Sequence, residues 1–152
     1  MIKEKHVLVK WSATFSVGIK IIDDQHKGLI NLVNDLFNHV TGNREEEYLY
    51  FKKIIQSAVQ YVKVHFKTEE EIMSQANFPG YSEHKKEHDK FIMNILDMVN
   101  NYEKGIKLTL SEFTKFLREW ILTHIAIMDK QYFVYFKQVN ARNVNGELII
   151  NI

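Results

Sequence analysis

Four stretches of this chain repeat apolar residues at helical spacing, and every one of them interrupts its apolar stripe with histidine. In the first, His26 stands among Ile22, Leu29, Ile30 and Val33. In the second, His65 and Glu69 continue a stripe of Phe51, Ile55, Ala58 and Val62. The third begins His84, His88 and runs on through Phe91, Ile92 and Ile95; the fourth leads from Leu110, Phe113, Leu117 and Ile121 to His124. Burying such groups without partners costs about 1–3 kcal/mol for an imidazole and several for a carboxylate, so whatever fold forms must compensate them together.

The stretches place helices at 20–41, 44–75, 81–104 and 109–129, separated by Thr41-Gly42-Asn43, by Asn77-Phe78-Pro79-Gly80 and by Lys104-Gly105. The second of these is a strong turn signal, because Pro79 fixes its own φ and glycine at 80 permits a positive one. Connections this short make consecutive helices antiparallel neighbours. The expected fold is therefore all-α, an up-down-up-down four-helix bundle. Residues 1–152 read as one domain, with an extended arm over 1–18, a helical body over 20–138 and a C-terminal tail over 139–152. Trp11 and Phe15 of the arm should pack on the bundle. Tyr132, Phe133, Tyr135 and Phe136 suggest a short helix over 130–138, and Asn145-Gly146 before Leu148-Ile149-Ile150 suggests a small hairpin or a tail.

Residues four apart on a helix lie about 40° apart, so His65 and Glu69 share one face, as do His84 and His88. With His26 and His124 each helix points at least one nitrogen inward. Asp129 is irregular: five residues after His124, it falls about 140° away on an ideal helix. It can join the group only if the helix loosens into a π-type turn or ends between Ile125 and Asp129, and such a distortion is expected. A lone buried histidine is commonly a hydrogen-bonded core residue. Five histidines on four inward stripes are a metal-binding constellation. His6 and His39 fall outside it and read as ordinary.

The chain has no cysteine, which removes disulfides, thiolate zinc sites, iron–sulfur clusters and covalently attached haem. Any metal must be held by nitrogen and oxygen. A formal charge of +1 with interspersed signs gives no basic stripe for nucleic acid. No apolar run reaches the length of a signal peptide's core or of a membrane span, so a cytoplasmic protein without membrane insertion is expected.

Five histidines and two carboxylates exceed what one tetrahedral zinc needs. Two ions are the economical solution, and octahedral preference with nitrogen and oxygen donors favours iron or manganese. Two six-coordinate ions offer twelve positions. Five histidines, two bridging carboxylates and one bridging oxide or hydroxide occupy eleven. The remaining position, with Leu29, Phe66, Trp120, Ile121 and Ile125 within a turn of the ligand positions, suits a small neutral ligand such as dioxygen.

Asp24-Gln25-His26-Lys27, His65-Phe66-Lys67-Thr68-Glu69-Glu70, His84-Lys85-Lys86-Glu87-His88 and His124-Ile125-Ala126-Ile127-Met128-Asp129, in this order, closely resemble the motifs of the bacterial hemerythrins. The resemblance runs from Trp11 and Ser16-Val17-Gly18 to Tyr132. It implies two iron ions bridged by oxide or hydroxide, with His84, His88 and His124 on the filled iron, His26 and His65 on the open iron, and Glu69 and Asp129 bridging. It further implies reversible binding of dioxygen, for storage, delivery or sensing, in a protein expected to be a monomer, with a protein partner conceivable for delivery or signalling. The rival reading is a di-iron enzyme reducing dioxygen, peroxide or nitric oxide. Against an oxygenase stands the absence of any Glu three residues before a histidine, the pairing that carboxylate-rich di-iron bundles use.

Overall fold

The computed structural model describes residues 6–105 and 109–142 and is helical throughout its ordered elements. Helix α1 spans Lys20–Asn38, α2 Arg44–Gln75, α3 Tyr81–Glu103 and α4 Leu110–Thr123. A π-helical segment, His124–Met128, continues α4 directly into α5, Asp129–Arg142. The four long helices form the expected bundle, with α1 against α2 and α4, and α2 against α3 and α4.

Local chemistry sets the helix ends. Asn43 accepts hydrogen bonds from the Glu45 and Glu46 amides at the start of α2, and three glutamates in that first turn suit its positive dipole end. Thr109 and Glu112 form a reciprocal capping box at the start of α4. The α1 helix stops three residues short of the expected boundary. There His39 Nδ1 bonds the Asp35 carbonyl at 2.7 Å, and His39 and Val40 make tighter i to i+3 bonds that close the last turn.

The turn after α2 falls where expected, between Gln75 and Tyr81. The left-handed residue is Asn77, at φ 52°, and Gly80 sits at φ −84°. Asn77 donates to Ser74 O and Phe78 to Met73 O, which is a Schellman ending, with Phe78 and Met73 packed in one apolar cluster. A Cβ at position 80 would come within 2.7 Å of the Phe78 ring, which would have to shift to admit it.

The arm over residues 6–18 runs antiparallel along α1, from Asn38 back towards Asp23. Asn34 Oδ1 accepts the Leu8 and Val9 amides and its Nδ2 donates to Val9 O, while Asn38 pairs in the same way with His6. Trp11 and Phe15 pack partly buried against the core, as expected. The expected short helix over 130–138 is the continuous α5, reaching Arg142. Of the expected tail over 139–152, residues 139–142 belong to α5, and the rest, with the hairpin suggested there, lies outside the described residues.

Two apolar clusters fill the interior. The larger holds Leu29, Val33, Phe51, Val62, Phe66, Phe91, Leu117, Ile121 and Ile125; the smaller holds Val17, Ile22, Ile72, Met73, Tyr132 and Phe136. Along α1, α2 and the π segment, the polar residues fall between the two. Ile22 precedes His26 and Leu29 follows it, Phe66 and Ile72 bracket Glu69, and Ile125 and Tyr132 bracket Asp129. The polar groups thus form one layer sealed above and below by hydrocarbon. Among the described residues no helix is long and apolar enough to cross a membrane.

Candidate metal centre

His26 comes from α1, His65 and Glu69 from α2, His84 and His88 from α3, His124 from the π segment and Asp129 from the start of α5. None is more than 2% exposed, so solvent does not compensate them. The π segment is the distortion that the spacing of His124 and Asp129 calls for. The Asp129 amide donates to His124 O across five residues, which sets Asp129 on the face of His124 instead of well round the helix from it.

The inward atoms divide into two groups that share both carboxylates. His26 Nε2 lies 3.2 Å from Glu69 Oε1 and 2.9 Å from Asp129 Oδ2, and His65 Nε2 lies 3.2 Å from Glu69 Oε1. On the other side, His84 and His124 Nε2 are 3.0 and 2.9 Å from Asp129 Oδ1, and His88 Nε2 is 3.1 Å from Glu69 Oε2. Each carboxylate therefore gives one oxygen to a three-histidine group and the other to a two-histidine group. Two sets of potential metal donors result, of five and four residues, with their ligand atoms mutually within 4.8 Å.

Hydrogen bonding alone does not account for this packing. Both Asp129 oxygens, Glu69 Oε2 and the Nε2 atoms of His65 and His84 lack an aligned hydrogen-bond partner despite these short separations. Donor atoms close together but not aimed at one another fit convergence on a shared ion. Neighbouring ligands of an octahedral ion with bonds of about 2.1 Å stand about 3 Å apart, close to the spacings found here.

Electrostatics point the same way. Burial lowers the pKa of His26 and His124, but the adjoining Asp129 and Glu69 carboxylates more than reverse it, raising them to about 9 and about 10. His84 is raised by the same carboxylates against its burial. His88 falls to about 4, because burial and the neighbouring His124 and His84 outweigh its contact with Glu69. Burial opposes ionisation of the carboxylates, yet the histidines hold Glu69 well below the usual range and Asp129 below it too. Imidazoles and carboxylates in this layer thus stabilise one another's charged forms against the cost of burial.

Aromatic rings and polar groups frame the layer. Phe66 stacks on His88 with ring centres 3.8 Å apart, and Trp120 on His124 at 4.4 Å. Leu29, Ile121 and Ile125 lie buried in the same apolar cluster. Of the five expected pocket residues, Phe66 and Trp120 thus cover imidazoles of the three-histidine group.

Three polar neighbours escape a reading by periodicity. Tyr132 Oη donates to Glu69 Oε1 at 3.0 Å, and burial beside Glu69 and Asp129 pushes its pKa well up, so the hydroxyl remains a donor. Gln25 Oε1 lies 2.8 Å from His65 Nδ1, and Gln25 Nε2 donates to Thr68 Oγ1 at 3.1 Å. The available signals were a tyrosine three residues past Asp129 and a glutamine adjoining His26, neither of which specifies a partner across the bundle.

The profile of the hemerythrin HHE cation-binding domain matches residues 17–136. A bacteriohemerythrin from Methylococcus capsulatus is 34% identical over 127 residues, covering 82% of this chain and 94% of that protein. A hemerythrin-like protein from Naegleria gruberi is 30% identical over 122 residues, covering 80% and 88%. A wild-type hemerythrin crystal structure superposes with a TM-score of 0.72 at 33% identity, over 84% of this chain and 96% of that one. The fold, the buried layer of histidines and shared carboxylates, and a match that spans both agree that the chain belongs to the hemerythrin family.

Proposed function

We propose that this protein binds dioxygen reversibly at a non-haem di-iron centre formed by His26, His65, Glu69, His84, His88, His124 and Asp129. The observation that carries the reading is the unequal division of donors about two shared carboxylates. Two metal ions held there would meet five protein donors on one side and four on the other, so room for a further small ligand would lie on the side of His26 and His65. Iron held by these residues would supply reversible electron transfer to dioxygen, and the protein's part is to hold that chemistry in check.

Each residue contributes to that restraint. Glu69 and Asp129 neutralise charge and hold the two halves in register through their paired oxygens. Tyr132 fixes the Glu69 oxygen on the two-histidine side. Leu29, Ile121 and Ile125, with Phe66 and Trp120, give the centre apolar walls that exclude water and protons, which would otherwise promote release of reduced oxygen. Five neutral nitrogens against two carboxylates donate less charge than the carboxylate-rich sites that activate oxygen, which favours a carrier over an oxidoreductase. The reading extends to a monomeric cytoplasmic protein that stores, delivers or senses dioxygen.

The test is anaerobic reduction of the iron-quantified protein, admission of air, then an argon purge, with visible spectra throughout. Two irons per chain and a charge-transfer band that appears with air and fades on purging are expected. Direct conversion to a stable oxidised form, with continuous turnover on added reductant, would replace the carrier reading with the enzyme one.

A further inference from the structure

We propose that Gln25, oriented by Thr68, is a positioning residue that fixes the tautomer of His65 and so sets the metal affinity of the two-histidine half of the centre. The inference rests on the metal-binding reading above and concerns groups outside the ligand set.

The argument follows one chain of hydrogen bonds from α2 to α1 and back. Thr68 Oγ1 donates its only hydrogen to Val64 O at 2.9 Å. Its oxygen is left as an acceptor, so the group facing it at 3.1 Å must be the amide NH2 of Gln25. The other end of that amide is then its carbonyl, which faces His65 Nδ1 at 2.8 Å. A carbonyl only accepts, so Nδ1 carries the proton. The neutral ring therefore presents a bare lone pair at Nε2, the atom that points into the layer beside Glu69. The polarity of the whole path is decided by one backbone carbonyl.

The backbone of Gln25 is pinned as well. Tyr61 Oη donates to Gln25 O at 3.0 Å, and it reaches α1 only because residue 28 is glycine; a Cβ there would lie 2.0 Å from that oxygen. His65 differs in this from three of the other four histidines of the layer. The Nδ1 atoms of His26, His88 and His124 have no hydrogen-bonded partner among the described residues. An acceptor on the outer nitrogen orients the ring and raises its basicity as a ligand, and loss of such a partner typically costs about 10–100-fold in metal affinity.

The test is a cobalt(II) titration of the metal-free chain, residues 1–152, read by its visible ligand-field bands, with circular dichroism to follow the fold. Wild type should take up two ions in resolvable steps. Gln25→Leu should weaken one step by about 10–100-fold and leave the other unchanged. Thr68→Val, which frees the amide to rotate, should weaken the same step by less. Thr68→Ser, which keeps the hydroxyl in place, should hold that step at wild type. Variants that match wild type in both steps, or that weaken both equally, would overturn the proposal while the metal reading stands. A wild-type chain that takes up fewer than two ions would sink the metal reading, and this inference with it.

Discussion

At the scale of single residues, the centre depends on groups that only other buried groups can satisfy. His26→Ala and His65→Ala each remove a nitrogen from the four-donor set while leaving both apolar clusters intact. Both variants are expected to lose dioxygen binding yet keep wild-type helical content, checked by oxygen difference spectra and far-ultraviolet circular dichroism. Tyr132→Phe removes the hydroxyl donor of a buried carboxylate oxygen. In the metal-free protein this should cost about 1–3 kcal/mol, read from urea unfolding of variant and wild type side by side.

At the scale of elements, the helices differ in how their ends and faces are specified. The start of α4 relies on the reciprocal pair Thr109 and Glu112. Thr109→Ala should therefore destabilise the protein by about 1 kcal/mol without altering metal stoichiometry, because the cap lies well away from the polar layer. The midpoint of a denaturant transition measures the first expectation and metal analysis the second. The π segment serves a different end. It gives up regular α bonding so that His124 and Asp129, five residues apart, can serve one layer, and it does so without interrupting the helix that carries Tyr132 onward to Glu69.

Across the whole molecule, charge balance couples the polar layer to pH. In the metal-free protein His26 and His124 have pKa values raised to about 9 and about 10, above the roughly 6.5 of an unfolded chain. Their contribution to stability is fully present below about pH 6.5 and is lost as pH rises through those folded values. The depressed carboxylates behave oppositely, contributing above the ordinary carboxylate pKa and losing that contribution as pH falls through their lower folded values. The melting temperature of metal-free protein should thus drop between about pH 7 and pH 10, whereas the loaded protein, with cations in place of protons, should not follow it. In acid the competition reverses, since ligation needs neutral imidazoles: dialysis against chelator at about pH 4 should strip the metal. Iron content unchanged by that treatment would contradict the ligand assignment. At neutral pH, free metal a thousandfold above its dissociation constant should add about 4 kcal/mol to stability by mass action, visible as a higher melting temperature.

Much of this was legible in the sequence because helical periodicity converts spacing into direction. His65 with Glu69, and His84 with His88, had to share helix faces, and a stripe that is otherwise apolar had to face the core. The four helices, their order and the inward set of histidines followed from that alone. Asp129 was legible as a conflict: its spacing from His124 predicted a departure from α geometry without fixing which of two forms it would take. Other features are set by distance between elements, about which a one-dimensional pattern is silent. The turn after α2 placed its left-handed residue at Asn77, because the Schellman ending there closes on Phe78 and Met73, and α5 ran unbroken to Arg142. The hydrogen bonds of Gln25 to His65 and of Tyr132 to Glu69 join residues 40 and 63 positions apart, and no local spacing encodes them. Because periodicity is local, it was enough to say which groups are buried together. How two carboxylates divide their oxygens between unequal sets of histidines depends on how whole helices meet, and that emerges only in the packed bundle.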